Sequence, residues 1–76
     1  VNKKTRKRIA EIREGLEKTK IEVDGLRGEE WEKFNSVPDT LKSSVVGDAI
    51  LQAAEWLDDA VSAIKEAIDN LREVEG

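Results

Sequence analysis

Apolar residues recur along this chain at helical spacing, in two separate blocks. Ile9, Ile12, Leu16, Thr19, Val23 and Leu26 follow one another at intervals of three and four, which aligns them as one stripe on a helix. Strict continuation would reach Glu30 and Lys33. At about 3.6 residues per turn, however, Trp31, Phe34 and Val37 fall within about one residue's rotation of the same stripe. The pattern predicts one helix over about residues 3–36. Gly25 and Gly28 lie with Ile21 on its far side, where each glycine costs about 1 kcal/mol of helix propensity but leaves the stripe intact. A break into two helices at these glycines is the alternative.

The second block is more regular. Val46, Ile50, Ala53, Leu57, Ala60, Ile64, Ala67, Leu71 and Val74 make an unbroken four-three repeat, predicting a helix over about residues 44–73. Between the blocks stands "NSVPDTLKSSVVGD". Pro38 disfavours helical geometry at Val37 and removes a backbone donor, so the first helix should stop by Asn35 or Ser36. Residues 38–41 can make one helical turn capped by Ser36, with Pro38 in its first turn. Ser43 or Ser44 can cap the next helix, and Asp48 adds a negative charge to its opening turns.

The second helix is apolar over more than one seam. Ile50, Leu57, Val61, Ile64, Ile68 and Leu71 form a branched aliphatic ridge; Ala49, Ala53, Trp56, Ala60, Ala63 and Ala67 form a flatter strip beside it. One partner helix covers only a narrow stripe, so the wider face implies two. The expected fold is all-α: an antiparallel two-helix hairpin, residues 1–76 as one domain, with a short helical turn in a bend at 37–44, dimerising into a four-helix bundle. The alternative is a monomer whose open Ala/Trp strip receives a foreign protein, with Trp56 as hot spot.

Composition narrows the means of stabilisation. A chain of 76 residues has too small a core for much net stability, and with no cysteine and no histidine it has neither disulfides nor the usual zinc sites. Close helix packing or self-association remains. With 39% charged residues and 4% aromatics, the chain suits long solvated helices better than a sandwich or barrel. No apolar run approaches ~18 residues, so no membrane span is expected, and a soluble intracellular protein is.

The charge is uneven. Residues 1–37 carry ten bases against eight acids, and residues 38–76 carry three against nine. Antiparallel pairing would set "KKTRKR" beside the acidic end of the second helix, where Glu66, Asp69, Glu73 and Glu75 would compensate bases unfavourable to the dipole of the first. Exposed pairs of this kind contribute tenths of a kcal/mol and mainly select orientation.

Candidate chemistry is sparse. Without histidine or cysteine there is no conventional nucleophile and base pair, and no cofactor or metal site is expected. Glu55, Asp58, Asp59, Glu66, Asp69 and Glu73 fall on an outer helical face with nothing apolar around them to raise a pKa. Di-metal sites of four-helix bundles need inward glutamates with Glu-x-x-His partners, which are missing. An enzyme is not expected. "GLRG" lacks the lysine and the serine or threonine of a phosphate loop and follows no strand. Lys3, Lys4, Arg6, Lys7 and Arg8 are the candidates for nucleic-acid contact, although no aromatics are interleaved with them. The acidic face of the second helix also permits imitation of a phosphate backbone, with an ordinary solubilising face as the plainer reading.

The layout "NKKTRKRIAEIREGLEK", then "EEWEKFNSVPDTLKSS", then a heptad helix ending "AIKEAIDNLREVE", resembles small uncharacterised proteins of phages and prophages, especially of Gram-positive bacteria. The matching parts are Pro38, Asp39, Leu41, Ser44, Gly47, Asp48 and the "EAID" of Glu66 to Asp69. Gly25, Gly28, Trp31 and Trp56 depart from that pattern. The resemblance implies a mobile-element accessory protein of the bacterial cytoplasm, a class that includes anti-CRISPR and anti-restriction inhibitors of host defence. The leading expectation is therefore a non-enzymatic protein that binds another protein stoichiometrically. Its candidate surfaces are Trp56 with Ala49, Ala53, Ala60 and Ala63, the acids Glu55, Asp58, Asp59 and Glu66, and the patch of Ile21, Gly25 and Gly28. A homodimerisation module is the second expectation, and a nucleic-acid binder using Lys3 to Arg8 the third.

Overall fold

Asn2 starts the first helix. Its side-chain oxygen accepts from the Thr5 backbone N–H at 2.8 Å, satisfying one of the donors that a helix start leaves free. In the computed structural model, which describes all 76 residues, helix α1 then runs without interruption over Lys3–Ser36. Gly25 and Gly28 do not break it. Val37, held extended by the following Pro38, ends it as the spacing predicts.

A single 3-10 turn over Asp39–Leu41 carries the chain through the bend. Pro38 precedes this turn rather than entering it, and Ser36 does not cap it. The Ser36 hydroxyl donates instead to the Glu32 carbonyl one turn back in α1. Ser44 is the cap that forms: its oxygen accepts from Gly47 N–H at 3.2 Å, and its hydroxyl donates to the Leu41 carbonyl at 2.6 Å. Helix α2 follows over Val45–Glu75, starting one residue after and ending two residues beyond the span its apolar repeat suggests.

The two helices pack against each other as an antiparallel hairpin with extents of 58 × 14 × 13 Å. Its radius of gyration, 17.2 Å, compares with about 11 Å for a compact domain of this length. Only Gly47, Ala54 and Ile68 are fully buried. On α2 the seam toward α1 is a heptad row of Gly47, Ala54, Val61, Ile68 and Glu75, flanked by the half-buried Ile50, Leu57, Ile64 and Leu71. The strict repeat read from the sequence is thus rotated by one row from the true seam. At residue 47 only a glycine fits, because the backbone carbonyls of Leu41 and Lys42 in the bend lie directly against it.

Helix α1 shows a larger departure. Ile9, Leu16 and Val23 are half-buried, but Ile12, Thr19 and Leu26 of the same stripe are exposed. The row that shares the seam with Ile9, Leu16 and Val23 is Arg13, Lys20, Arg27 and Phe34, all half-buried. Long basic side chains can occupy such positions because their aliphatic stems cover the seam while their charged ends reach its edge.

Three glycines separate the constraints by position. A Cβ at Gly25 or Gly28 would meet nothing within 4 Å, whereas one at Gly47 would collide with the Lys42 carbonyl oxygen and come within 2.7 Å of that of Leu41. Gly25→Ala and Gly28→Ala should each stabilise the hairpin by about 0.5–1 kcal/mol in urea unfolding. Gly47→Ala should destabilise it by about 1–3 kcal/mol. A Gly47→Ala variant as stable as the parent would contradict the close approach at the bend.

Candidate functional site

Three consecutive residues divide the surface of α2. Leu57 faces the flank of the seam; Asp58 is turned about 100° to one side and Trp56 about 100° to the other. The two sides have opposite character.

On the Asp58 side the hairpin edge is polar and closed. Trp31 Nε1 donates to Asp58 Oδ1 at 3.1 Å, and Arg27 Nη1 donates to the same oxygen at 3.4 Å. Toward the open end, Arg13 Nε and Nη2 donate to the two carboxylate oxygens of Glu75 at 2.5 and 3.1 Å. Arg13 Nη1 also donates to Glu17 Oε1 at 3.0 Å, which accepts from Arg72 Nη2 at 2.8 Å. This chain of alternating charges links both helices through a forked Arg–carboxylate contact. The Arg13 guanidinium holds the Glu75 carboxyl below its ordinary value, partly opposed by desolvation. Arg27 is held above its ordinary value, first by Asp24 and then by Asp58.

Asp58 therefore does not belong to the free outer face assigned to it from the wheel. Its side chain is spent on α1, and the pairing was invisible because Trp31 and Asp58 lie 27 residues apart in sequence. Near the bend Trp31 meets Phe34 edge to face, with ring centroids 6.1 Å apart, and Lys42 Nζ lies 5.4 Å from the Phe34 centroid. Both aromatics thus serve the hairpin end.

On the Trp56 side the edge is apolar and open. Trp56 is 65% exposed. Ala49 and Ala63 are exposed, Ala53, Ala60 and Ala67 are half-buried, and Val46, at the near end of the row, is 67% exposed. Across the seam, the exposed Ile12 and Leu26 of α1 extend the apolar surface. Glu55, Asp59 and Glu66 are exposed and take part in no ion pair, forming a solvated array. Ile21, 73% exposed, shares the back of α1 with the exposed Gly25 and Gly28 as a small flat patch.

The basic segment is placed differently from the charge argument. Lys3, Lys4, Arg6, Lys7 and Arg8 are exposed and make no ion pair; Glu66 and Glu73 make none either, and Asp69 pairs with Lys65 and Arg72. The register explains this. Arg13 already lies level with Glu75, so residues 3–8 stand about 8–15 Å farther along α1, past that carboxylate. Orientation is selected by Arg13, Glu17, Arg72 and Glu75 instead.

No group of three or more carboxylate side chains converges in a way that could hold a metal ion. The surface has one concavity, at the bend, lined by Glu29, Glu32, Lys33, Ser36, Val37 and Pro38 and wide open to solvent. No helix is long and apolar enough to cross a membrane. The chain matches no protein-family model, no curated protein and no solved structure. Its candidate site is the open apolar flank of α2.

The polar edge has a pH signature. With its folded pKa depressed, Glu75 adds stability that is present above the ordinary glutamate range and is lost as pH falls through the folded value. Thermal melts of the parent and Glu75→Gln should therefore differ near pH 7, with the difference shrinking as pH falls below the ordinary glutamate range. A difference that stayed unchanged down to the lowest pH at which the hairpin remains folded would show that Arg13 does not act on the ionised carboxylate.

Proposed function

We propose that this chain is a non-enzymatic helical hairpin that acts by stoichiometric protein–protein contact through the open flank of α2. One observation carries the reading: a large aromatic side chain, Trp56, stands exposed in the middle of an alanine- and valine-lined strip that α1 does not cover. Exposed tryptophan ringed by apolar contact area is the usual composition of an interface hot spot. The absence of histidine and cysteine from the sequence, together with carboxylates that are either solvated or committed to ion pairs, favours binding over catalysis.

The phage and prophage resemblance supports a narrower proposal. A small, acidic, stoichiometric binder of the bacterial cytoplasm fits the work of a mobile-element accessory protein, and inhibition of a host defence system of anti-CRISPR or anti-restriction type is the activity to test. Asp59 and Glu66 beside the flank offer carboxylates to a basic partner groove. Asp58, tied to Trp31 and Arg27, is not among these contacts. A second reading, nucleic-acid binding through Lys3, Lys4, Arg6, Lys7 and Arg8, rests on the exposure and lack of ion pairing of all five.

Affinity capture from bacterial lysate separates these readings when run with three baits. Trp56→Ala should lose most of the protein captured by the parent, a loss of roughly tenfold or more in affinity. A bait with all five N-terminal bases changed to glutamine should retain it. Full retention by Trp56→Ala would remove the flank from the account, and loss confined to the glutamine bait would favour the basic segment.

A further inference from the structure

The open flank of α2 reads alike from either end. At heptad spacing it carries Val46, Ala53, Ala60, Ala67 and Val74: three alanines with a valine at each end, centred on Ala60. The adjoining row, Ile50, Leu57, Ile64 and Leu71, is not a palindrome, but reversal about a point half a residue away exchanges only Ile with Leu and keeps every position branched aliphatic. No such symmetry is needed to pack against α1, since these five residues lie on the side of the Ile50–Leu71 row away from the buried seam.

A surface that repeats when reversed is complementary to itself across a twofold axis. From this pattern we infer that the occupant of the flank is a second copy of this chain, α2 against α2 and antiparallel, about a twofold axis at Ala60. The inference rests on the reading of the flank as the interaction surface and puts a second copy there in place of a host protein. Val46 then meets the partner's Val74, Ala53 meets the partner's Ala67, and Ala60 meets its own counterpart. Alanines at the centre permit axes at the close end of the usual range, about 8 Å. Trp56, at the margin, closes over the small residues beside the axis. The antiparallel sense also sets the start of each α2 beside the end of the other, which the helix dipoles favour.

The competing arrangement lays the flank on α1 of the second copy, with both bends at one end. The corresponding surface of α1 is poorly matched: beyond Ile12, Thr19 and Leu26 the same row continues to Lys33, and the next row is Arg8, Gly15, Glu22 and Glu29. Covering these charges would leave them desolvated opposite alanine and valine.

The surface area is of the size required. The hairpin exposes 5696 Å², whereas a compact protein of 8.5 kDa exposes about 4,700 Å², an excess of about 1,000 Å². A stable dimer interface takes about 800 Å² from each partner.

Sedimentation equilibrium on the full chain, paired with electron-spin distance measurement between labels at Ser43→Cys, tests the inference. A dimer is expected. Ser43 lies 17 residues from Ala60, about 25 Å along the axis, so the two labels should stand about 50 Å apart. Ala60→Glu, which sets two carboxylates at the axis, should weaken the dimer about 100-fold or more, and Ser62→Glu on the solvated side should leave it unchanged. A chain that stays monomeric at several hundred micromolar overturns the inference, as does a label separation under about 25 Å or a dimer indifferent to Ala60→Glu. The first two readouts need no substitution in the packed surface, so they hold even where Ala60→Glu fails to fold. A monomer that still captures protein through Trp56 would remove the second copy while leaving the interaction surface in place.

Discussion

Two helices share one seam, and that constraint governs everything else in this molecule. Each helix can turn only one stripe toward the other, so apolar residues beyond that stripe remain at the edge or in water. In this hairpin full burial is limited to Gly47, Ala54 and Ile68, and the longer α2 ridge is covered on one side only. The shape follows: a rod 58 Å long whose stability is drawn from a thin core and from what is done at its two edges.

The edges are treated in opposite ways. One is closed by charge, with Arg13, Glu17, Arg72 and Glu75 forming a linked set at the open end and Asp58 receiving both Trp31 and Arg27 nearer the bend. Such partly exposed pairs add modest stability, but they fix which helix faces lie together and in what register. The other edge has no polar closure. Its apolar rows are presented to solvent with Trp56 among them, and association is one of the physical means open to a chain of this size for completing its core.

Much of this architecture was legible in spacing alone. The apolar repeats located α1 and α2 to within a residue or two, Pro38 marked the bend, the pair Ser43 and Ser44 contained the second cap, and the glycines at 25 and 28 proved to lie on an open helix back. The partition of α2 into a ridge and an alanine strip was also legible, although only the alternative reading left the strip uncovered by α1. What spacing concealed was the role of small and charged residues. Gly47 and Ala54 add little apolar signal, yet both are buried, and the strict repeat was read one row away from them. On α1 the wheel favoured Ile12 and Leu26 over Arg13 and Arg27, because hydropathy scores a basic side chain by its charge and not by its stem. Asp58 was read as solvated for a different reason: its partners Trp31 and Arg27 come from the other helix, and a periodicity along one helix carries no information about them.

The central claim is that the hairpin is completed by covering the open flank of α2. The thermal midpoint measured across protein concentration tests this most directly, because a fold completed by association gains stability by mass action whereas a self-sufficient one does not. The account predicts a midpoint that rises steadily between about 1 and 500 μM, together with quenching or a blue shift of Trp56 fluorescence read in a Trp31→Phe background. A midpoint independent of concentration over that range, with Trp56 emission unchanged, would contradict it.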